Sequence, residues 1–407
     1  MIAAFGARQS SVLIRRMSLV IENARVLTGD SIAENASVLV ERGFVRLVST
    51  GCAGDHPADH RIDLDNRRLV PGFVDIQVNG GGGVLFNNAP TVESIQRIAD
   101  AHAQFGTTSL LPTLISDDFD TMRDAIGAVR TAIDDKLPGI LGIHLEGPFL
   151  NVERKGAHDP GRIRAIDDES IEIVTSLGDD AVTLITLAPE QTTPERIAQL
   201  VEAGVIVFAG HTQASYDQCV AAEEAGLSGY THLFNGMTPF GSREPGVVGA
   251  AIESEDAVFD IIADGHHVHP ASVRLACRAK RKGGALLVTD AMPTVGSDAT
   301  AFELYEENIK LADGVLRNAA GSLAGSNLSM IEAVSNAMRF IGVSWDEAVR
   351  MASTYPAQAI GRQGFIGCIE QGARADLVEL TDDLKIARVW RSGELVYMDK
   401  RRGDKIA

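Results

Sequence analysis

The chain carries ten histidines. Five of them, His144, His211, His232, His266 and His267, stand where a run of apolar residues stops, and His158 follows shortly after the third such run. Acidic groups stop the runs too: Glu146 within His144-Leu145-Glu146-Gly147-Pro148, and Asp290 within Thr289-Asp290. Imidazole nitrogen and carboxylate oxygen are what a catalytic zinc-type ion takes, three from the protein with one position left for water. Glu146, His211 and His232 supply that set from three separate segments. An ion held there acidifies its water and polarises a substrate oxygen. Asp290 is then placed to accept the water's proton and pass it to a leaving amine. Taken singly, each histidine reads as well as a hydrogen-bonded core or loop residue, and Asp290 as a helix cap. Their shared position at the ends of apolar runs favours metal-assisted hydrolysis.

The elements that must bring these groups together alternate with a clear beat. Apolar runs at 72–78, 107–114, 140–145, 182–187, 205–209, 229–233, 258–263 and 285–289 read as buried strands. Segments with helical spacing lie between most of them, at 91–105, 117–135, 193–203, 214–226 and 270–282. Eight strand–helix beats point to a (β/α)8 TIM-like barrel, whose active sites sit at the C-terminal ends of the strands. A doubly wound open sheet is the alternative, but no GxGxxG follows a first strand. Asp313-Gly314 reads as a hairpin turn between alternating residues, and 327–341 and 345–360 as amphipathic helices. Both chain ends are strand-rich. The expected organisation is therefore a small β-sandwich domain from residues 18–70 plus 364–400, and a barrel from 71–363. Residues 1–17 read as an unstructured extension, or as the product of an upstream start with Met17 as the true one.

The chain has 407 residues, 45% hydrophobic and 23% charged, a globular composition. Its net charge is −18, which argues against a general nucleic-acid partner and against an anionic membrane surface. A small anionic substrate needs only a local cation and stays open. The four cysteines, Cys52, Cys219, Cys277 and Cys368, form no CxxC pair, which fits a reducing compartment. No stretch approaches the ~18–20 apolar residues of a membrane span.

The longer motifs are PGFVDIQVNGGGG, HLEGPFLNVERKGAHDP, GHTQAS, THLFNGMTPFGSREPG, ADGHHVHP, LVTDAMP and LAGSNLSM. Together, and in this order, they resemble the N-acetylglucosamine-6-phosphate deacetylase family of the amidohydrolase superfamily, over about residues 18–398. The resemblance implies hydrolysis of N-acetylglucosamine 6-phosphate to glucosamine 6-phosphate and acetate, in the cytoplasm where a sugar phosphate resides. It places the metal ligands on Glu146, His211 and His232 and the catalytic acid/base on Asp290. It implies that His158 contacts the substrate and polarises its carbonyl, with Ala157 beside it. Asn235 and Gly236 match a sugar-contacting pair, His267 a substrate-binding histidine, and Leu323, Ala324 and Gly325 a substrate-lining segment. Arg243 matches an arginine that grips the phosphate across a homodimer interface, although a surface ion pair with Glu244 is the plainer reading. Where many amidohydrolases have His-x-His on the first strand, this chain has Gln77-Val78-Asn79. Neutral amides are poor ligands beside imidazole, so one divalent ion per subunit is expected, zinc first, with iron, manganese or cobalt also acceptable. Two other readings stand beside this one. The first is related chemistry on the same scaffold, N-acetylgalactosamine 6-phosphate above all. The second is an inactive barrel used as a scaffold, against which the four intact site residues speak.

Overall fold

The structure is a computed structural model that describes residues 18–51 and 56–400. Cys52, the expected extension 1–17 and the alternative start at Met17 lie outside the described residues. Eight parallel strands form the centre: β1 (Phe73–Val78), β2 (Thr107–Ile115), β3 (Gly142–Glu146), β4 (Val182–Leu187), β5 (Ile206–Ala209), β6 (Gly229–Tyr230), β7 (Val258–Ile262) and β8 (Ala285–Val288). They are hydrogen-bonded in chain order, and β1, β2, β3 and β4 are buried along their whole length. Continuous apolar runs rather than alternating ones are what a parallel sheet covered by helices requires. Beyond β8 the ring closes: Asp290 N–H donates to the Gln77 carbonyl at 3.0 Å, Asn79 N–H donates to the Ala291 carbonyl at 3.0 Å, and Val78 pairs in parallel with Ala291.

The covering helices begin where the sequence offers caps. Thr91, Asp118, Thr193 and Ser215 each accept from the third backbone N–H of the helix they open, which satisfies one of the donors that a helix start leaves free. The stretch 345–360 departs from the expected single helix. It forms Trp345–Ala352 and Thr354–Ala359, with Ser353 out of helical geometry. Pro356 has no N–H to give the Ala352 carbonyl, and its ring crowds that carbonyl.

The β module expected from both chain ends is present as one continuous eight-stranded sheet. Its middle joins the two ends, with Val70 opposite Val378 and Leu69 opposite Glu379. A separate apolar cluster including Ile21, Val26, Val38, Val45, Leu69, Leu377 and Trp390 holds it together. The Asp313-Gly314 turn joins Glu307–Ala312 to Val315–Arg317 as expected, and Ala301–Leu304 adds a third strand. Leu304, Ile309 and Leu316 from this small sheet pack with Leu85, Ile115 and Met292 from the loops and strand ends at the barrel mouth. No helix among the described residues is long and apolar enough to cross a membrane.

Candidate active site

Glu146 is the last residue of β3. Its Oε1 lies 2.8 Å from His232 Nε2 and 3.1 Å from His211 Nε2, and the two Nε2 atoms are 3.0 Å apart. Three ligands on an ion at ~2.0–2.1 Å in tetrahedral geometry would stand about 3.3 Å apart, so the triangle fits a small divalent ion with slight expansion. The rings are oriented for it. His211 Nδ1 lies 2.7 Å from the Arg154 carbonyl; it must donate there, which leaves the Nε2 lone pair facing Glu146. The His232 backbone N–H donates to Asp260 Oδ1 at 2.5 Å. His232 Nδ1 and Asp260 Oδ2, both buried, have no hydrogen-bond partner.

The backbone carrying this group is unusual. His211, His232 and Asp290 all have positive φ, at 49°, 37° and 51°, a region that side chains other than glycine's seldom occupy and that clusters at functional sites. Two neighbouring glycines show why close approach is needed. A Cβ on Gly236 would sit 2.8 Å from His211 Nδ1, and one on Gly325 would sit 2.5 Å from the Met292 side chain and 3.1 Å from the Asp290 carbonyl.

Asp290 is buried, and Asn79 Nδ2 donates to its Oδ1 at 2.6 Å. Burial, and then the negative charge of Glu146, push the Asp290 carboxyl up to about 6, against the Asn79 bond, which favours the ionised form. Burial works in the same direction on Glu146, but the imidazoles of His211 and His232 against it outweigh burial and hold that carboxyl well below its ordinary value. Asn79 must turn its NH2 to Asp290, because a carboxylate only accepts; the residue therefore faces the site as a donor. Gln77, fully buried near the end of β1, has both side-chain amide atoms unpaired.

His158 is also brought in. Its ring centroid is 4.5 Å from that of His211, and its Nδ1 lies 2.7 Å from Ser116 Oγ. Glu146, His158 and His211 offer ligand atoms within 4.8 Å of one another, a looser triad than the one completed by His232. Burial, followed by the positive charge His211 can carry, lowers the His158 pKa to about 3, so its ring is neutral. His267 is paired through Nδ1 to Asp264 Oδ2 at 2.6 Å. The Asn235 amide donates to the His232 carbonyl at 3.0 Å. Ala157 packs with the apolar cluster at the mouth, Ala324 is inside it, and Leu323 is half-buried next to it. The backbone of residues 323–326 lies along Asp290, whose carbonyl accepts from Ser326 N–H at 2.9 Å.

Arg243 stands apart. It is exposed, and it makes no hydrogen bond or ion pair with any of these residues. The ion pair with Glu244 is not formed: Glu244 Oε1 accepts instead from the backbone N–H groups of Tyr216 and Gly246 at 2.9 and 2.8 Å. Of the other histidines, His269 caps a helix. His144 lies deeper in the barrel between the Ile76 carbonyl and Thr186. His102, on the first helix, holds the Gly80 carbonyl at 2.9 Å and fills the space where a Gly81 side chain would be. Sequence reasoning passed over Ser116 and gave Asn79 and Asp264 no partner. Ser116 directly follows β2, where a polar strand end could have pointed to it.

The amidohydrolase family model matches residues 68–396. The chain belongs to the amidohydrolase family. As an amidohydrolase it is a hydrolase acting on carbon–nitrogen bonds. It is 44% identical over 381 residues to the N-acetylgalactosamine-6-phosphate deacetylase of Shewanella sp. (strain ANA-3), covering 93% of this chain and 96% of that one. It is 36% identical over 329 residues to the N-acetylglucosamine-6-phosphate deacetylase of Haemophilus influenzae, covering 80% and 85%. The crystal structure of N-acetylglucosamine-6-phosphate deacetylase from Pasteurella multocida superposes with a TM-score of 0.89 at 35% identity, covering 94% of this amidohydrolase and 100% of that chain. The resemblance read from the motifs thus holds across nearly the whole fold.

Proposed function

We propose that this amidohydrolase removes the acetyl group of an N-acetylamino sugar 6-phosphate, in the first place converting N-acetylglucosamine 6-phosphate to glucosamine 6-phosphate and acetate. The observation that carries the reading is the buried triangle of Glu146, His211 and His232 beside a carboxyl, Asp290, whose affinity for a proton is raised towards neutrality. A divalent ion held by those three residues, zinc first and iron, manganese or cobalt also suited to the donor set, supplies a Lewis acid that acidifies water and polarises the acetamide carbonyl. Asp290 takes a proton from the attacking water and delivers it to the sugar nitrogen as the carbon–nitrogen bond breaks. His158 contacts the acetamide oxygen. Ala157, Leu323, Ala324 and Gly325 line the acyl side, Asn235 and Gly236 contact the sugar, and His267 binds the substrate in an orientation fixed by Asp264. A single ion is supported by Asn79, which turns its donor rather than its oxygen toward Asp290.

Arg243, exposed and without a partner among the described residues, serves the phosphate of a neighbouring subunit's substrate. Its planar fork suits phosphate oxygens. The catalytic unit is then a homodimer, and the substrate class places it in the cytoplasm. The galacto epimer is the second reading, favoured by the name of the 44% identical Shewanella relative.

Acetate release from N-acetylglucosamine 6-phosphate, N-acetylgalactosamine 6-phosphate and unphosphorylated N-acetylglucosamine, before and after chelation and metal add-back, tests this. Metal-dependent release confined to phosphorylated sugars supports it, and the faster epimer names the substrate. Equal release with and without the phosphate removes the role of Arg243. No release from any of them rejects the function.

A further inference from the structure

We propose that Ser116 is a positioning residue that locks His158 in the tautomer protonated on Nε2, so that this ring meets the substrate as a hydrogen-bond donor and is kept out of the metal set. Two groups of Ser116 converge on one ring nitrogen. The hydroxyl lies 2.7 Å from His158 Nδ1, and the backbone N–H points at the same atom at 3.3 Å. A backbone N–H can only donate, so Nδ1 is the acceptor. A neutral imidazole has one N–H, which must then be on Nε2. The hydroxyl can satisfy the same demand by donating.

Ser116 itself is held. It is buried, and its Oγ lies against Gly147, where a Cβ would come within 2.4 Å of it. Its carbonyl accepts from the Tyr305 hydroxyl at 2.7 Å. Tyr305 belongs to the small sheet over the barrel mouth, in the turn between Leu304 and Glu307. A line of contacts therefore runs from that sheet through Tyr305 and Ser116 to His158.

Two consequences follow. Nε2 carries the hydrogen and Nδ1 is taken by Ser116, so neither nitrogen is free to ligate a metal; of the two triads the geometry admits, the one with His158 is closed and the one with His232 remains. The Nε2–H is also a preorganised donor for the negative charge that grows on the acetamide oxygen during attack. This second consequence rests on the proposed deacetylation; the tautomer itself does not.

The test is nitrogen-15 NMR of the histidine rings in the metal-free protein, with the His158 signals assigned by a His158→Asn variant, alongside kcat and KM of the metal-loaded enzyme. The wild type should show a protonated Nε2 and a bare Nδ1 on His158. Ser116→Ala keeps the longer backbone contact at 3.3 Å but loses the hydroxyl at 2.7 Å, the stronger part of the lock; it should give a mixed tautomer population and lower kcat by ~10–100-fold, the scale of losing an orienting partner, with KM little changed. Ser116→Thr should restore the tautomer and most of kcat. Tyr305→Phe, which leaves the hydroxyl on Ser116, should lower kcat by less. A protonated Nδ1 in the wild type overturns the proposal, as does a Ser116→Ala variant with an unchanged spectrum and unchanged kcat. A wild type inactive on every amino-sugar phosphate would reject the functional reading, while the NMR result would still decide the role of Ser116.

Discussion

In the terminal sheet Glu379 is fully buried, and both its oxygens are taken, Oε1 by Arg67 at 2.6 Å and Oε2 by Arg388 at 2.7 Å. At the barrel rim Glu146 is almost as deeply buried, and its partners are His211 and His232. The difference is in the partners. A guanidinium keeps its proton under all ordinary conditions, so the charge of Glu379 is balanced permanently and the group is inert. An imidazole is neutral or charged according to its surroundings. In its neutral form an imidazole presents a lone pair beside the carboxylate, and a cation completes the set. Buried acid alone therefore does not mark a site; buried acid with partners that can present lone pairs does.

Five experiments can break or sharpen this contrast. The largest effect should come from the rim: Asp290→Asn is expected to lower kcat by ~10²–10⁴, the usual worth of a positioned acid/base, without lowering the melting temperature. Acetate release and thermal unfolding measure the two parts. The terminal sheet should answer in the opposite way. Glu379→Gln leaves Arg67 and Arg388 facing a neutral amide and should cost about 3–5 kcal/mol of stability, read from urea unfolding, with acetate release per folded molecule unchanged. Its counterpart Glu146→Gln should instead abolish bound metal, measured by elemental analysis. If both glutamates prove equally important for stability and irrelevant to metal content, the contrast fails.

Arg243→Ala comes next. Losing a charge-assisted contact worth about 1.5–3 kcal/mol should raise KM for the phosphorylated sugar by roughly 10–100-fold and leave the unphosphorylated sugar unaffected. The smallest effect is a shift in pH dependence. Asp290 must be ionised to accept a proton, and its carboxyl is pushed up to about 6. A cation on Glu146 offsets part of the charge that raises this carboxyl, so kcat/KM should fall with dropping pH at a midpoint no higher than about 6 and level off above it. Asn79 donates to the ionised carboxylate, so Asn79→Ala should move that midpoint upward; a downward shift would contradict the role given to this bond.

The barrel was legible because its parallel strands are uninterrupted apolar runs, and a polar residue that stops such a run is automatically at its end. That rule, together with the motif resemblance, put Glu146, His211, His232 and Asp290 on one rim. It passed over Ser116 because β2 runs through Ile115, one residue beyond the expected Leu114. It gave Asn79 no partner, because the hydrogen bond to Asp290 depends on a side-chain orientation that spacing does not encode. Strand-rich chain ends announced the terminal sheet. The pairing of Arg68–Pro71 with Leu377–Leu380 is a contact across most of the chain, and local pattern carries no record of it. The break at Ser353 was within reach, since Pro356 stands in the sequence.

The seam between β1 and the segment after β8 has a consequence for how the enzyme comes into being. Asn79 and Asp290 are 211 residues apart, and the same seam is stitched by Gly80 N–H to the Ala291 carbonyl, Gly82 N–H to Val295 and Gly83 N–H to Pro293. Contacts this distant in sequence carry a heavy loop-closure cost and form late. A growing chain that has emerged only through β7 holds all three residues proposed as metal ligands but not Asp290, the proposed acid/base. Metal capture can therefore precede barrel closure during synthesis, whereas hydrolysis cannot, and activity reports on the last act of folding.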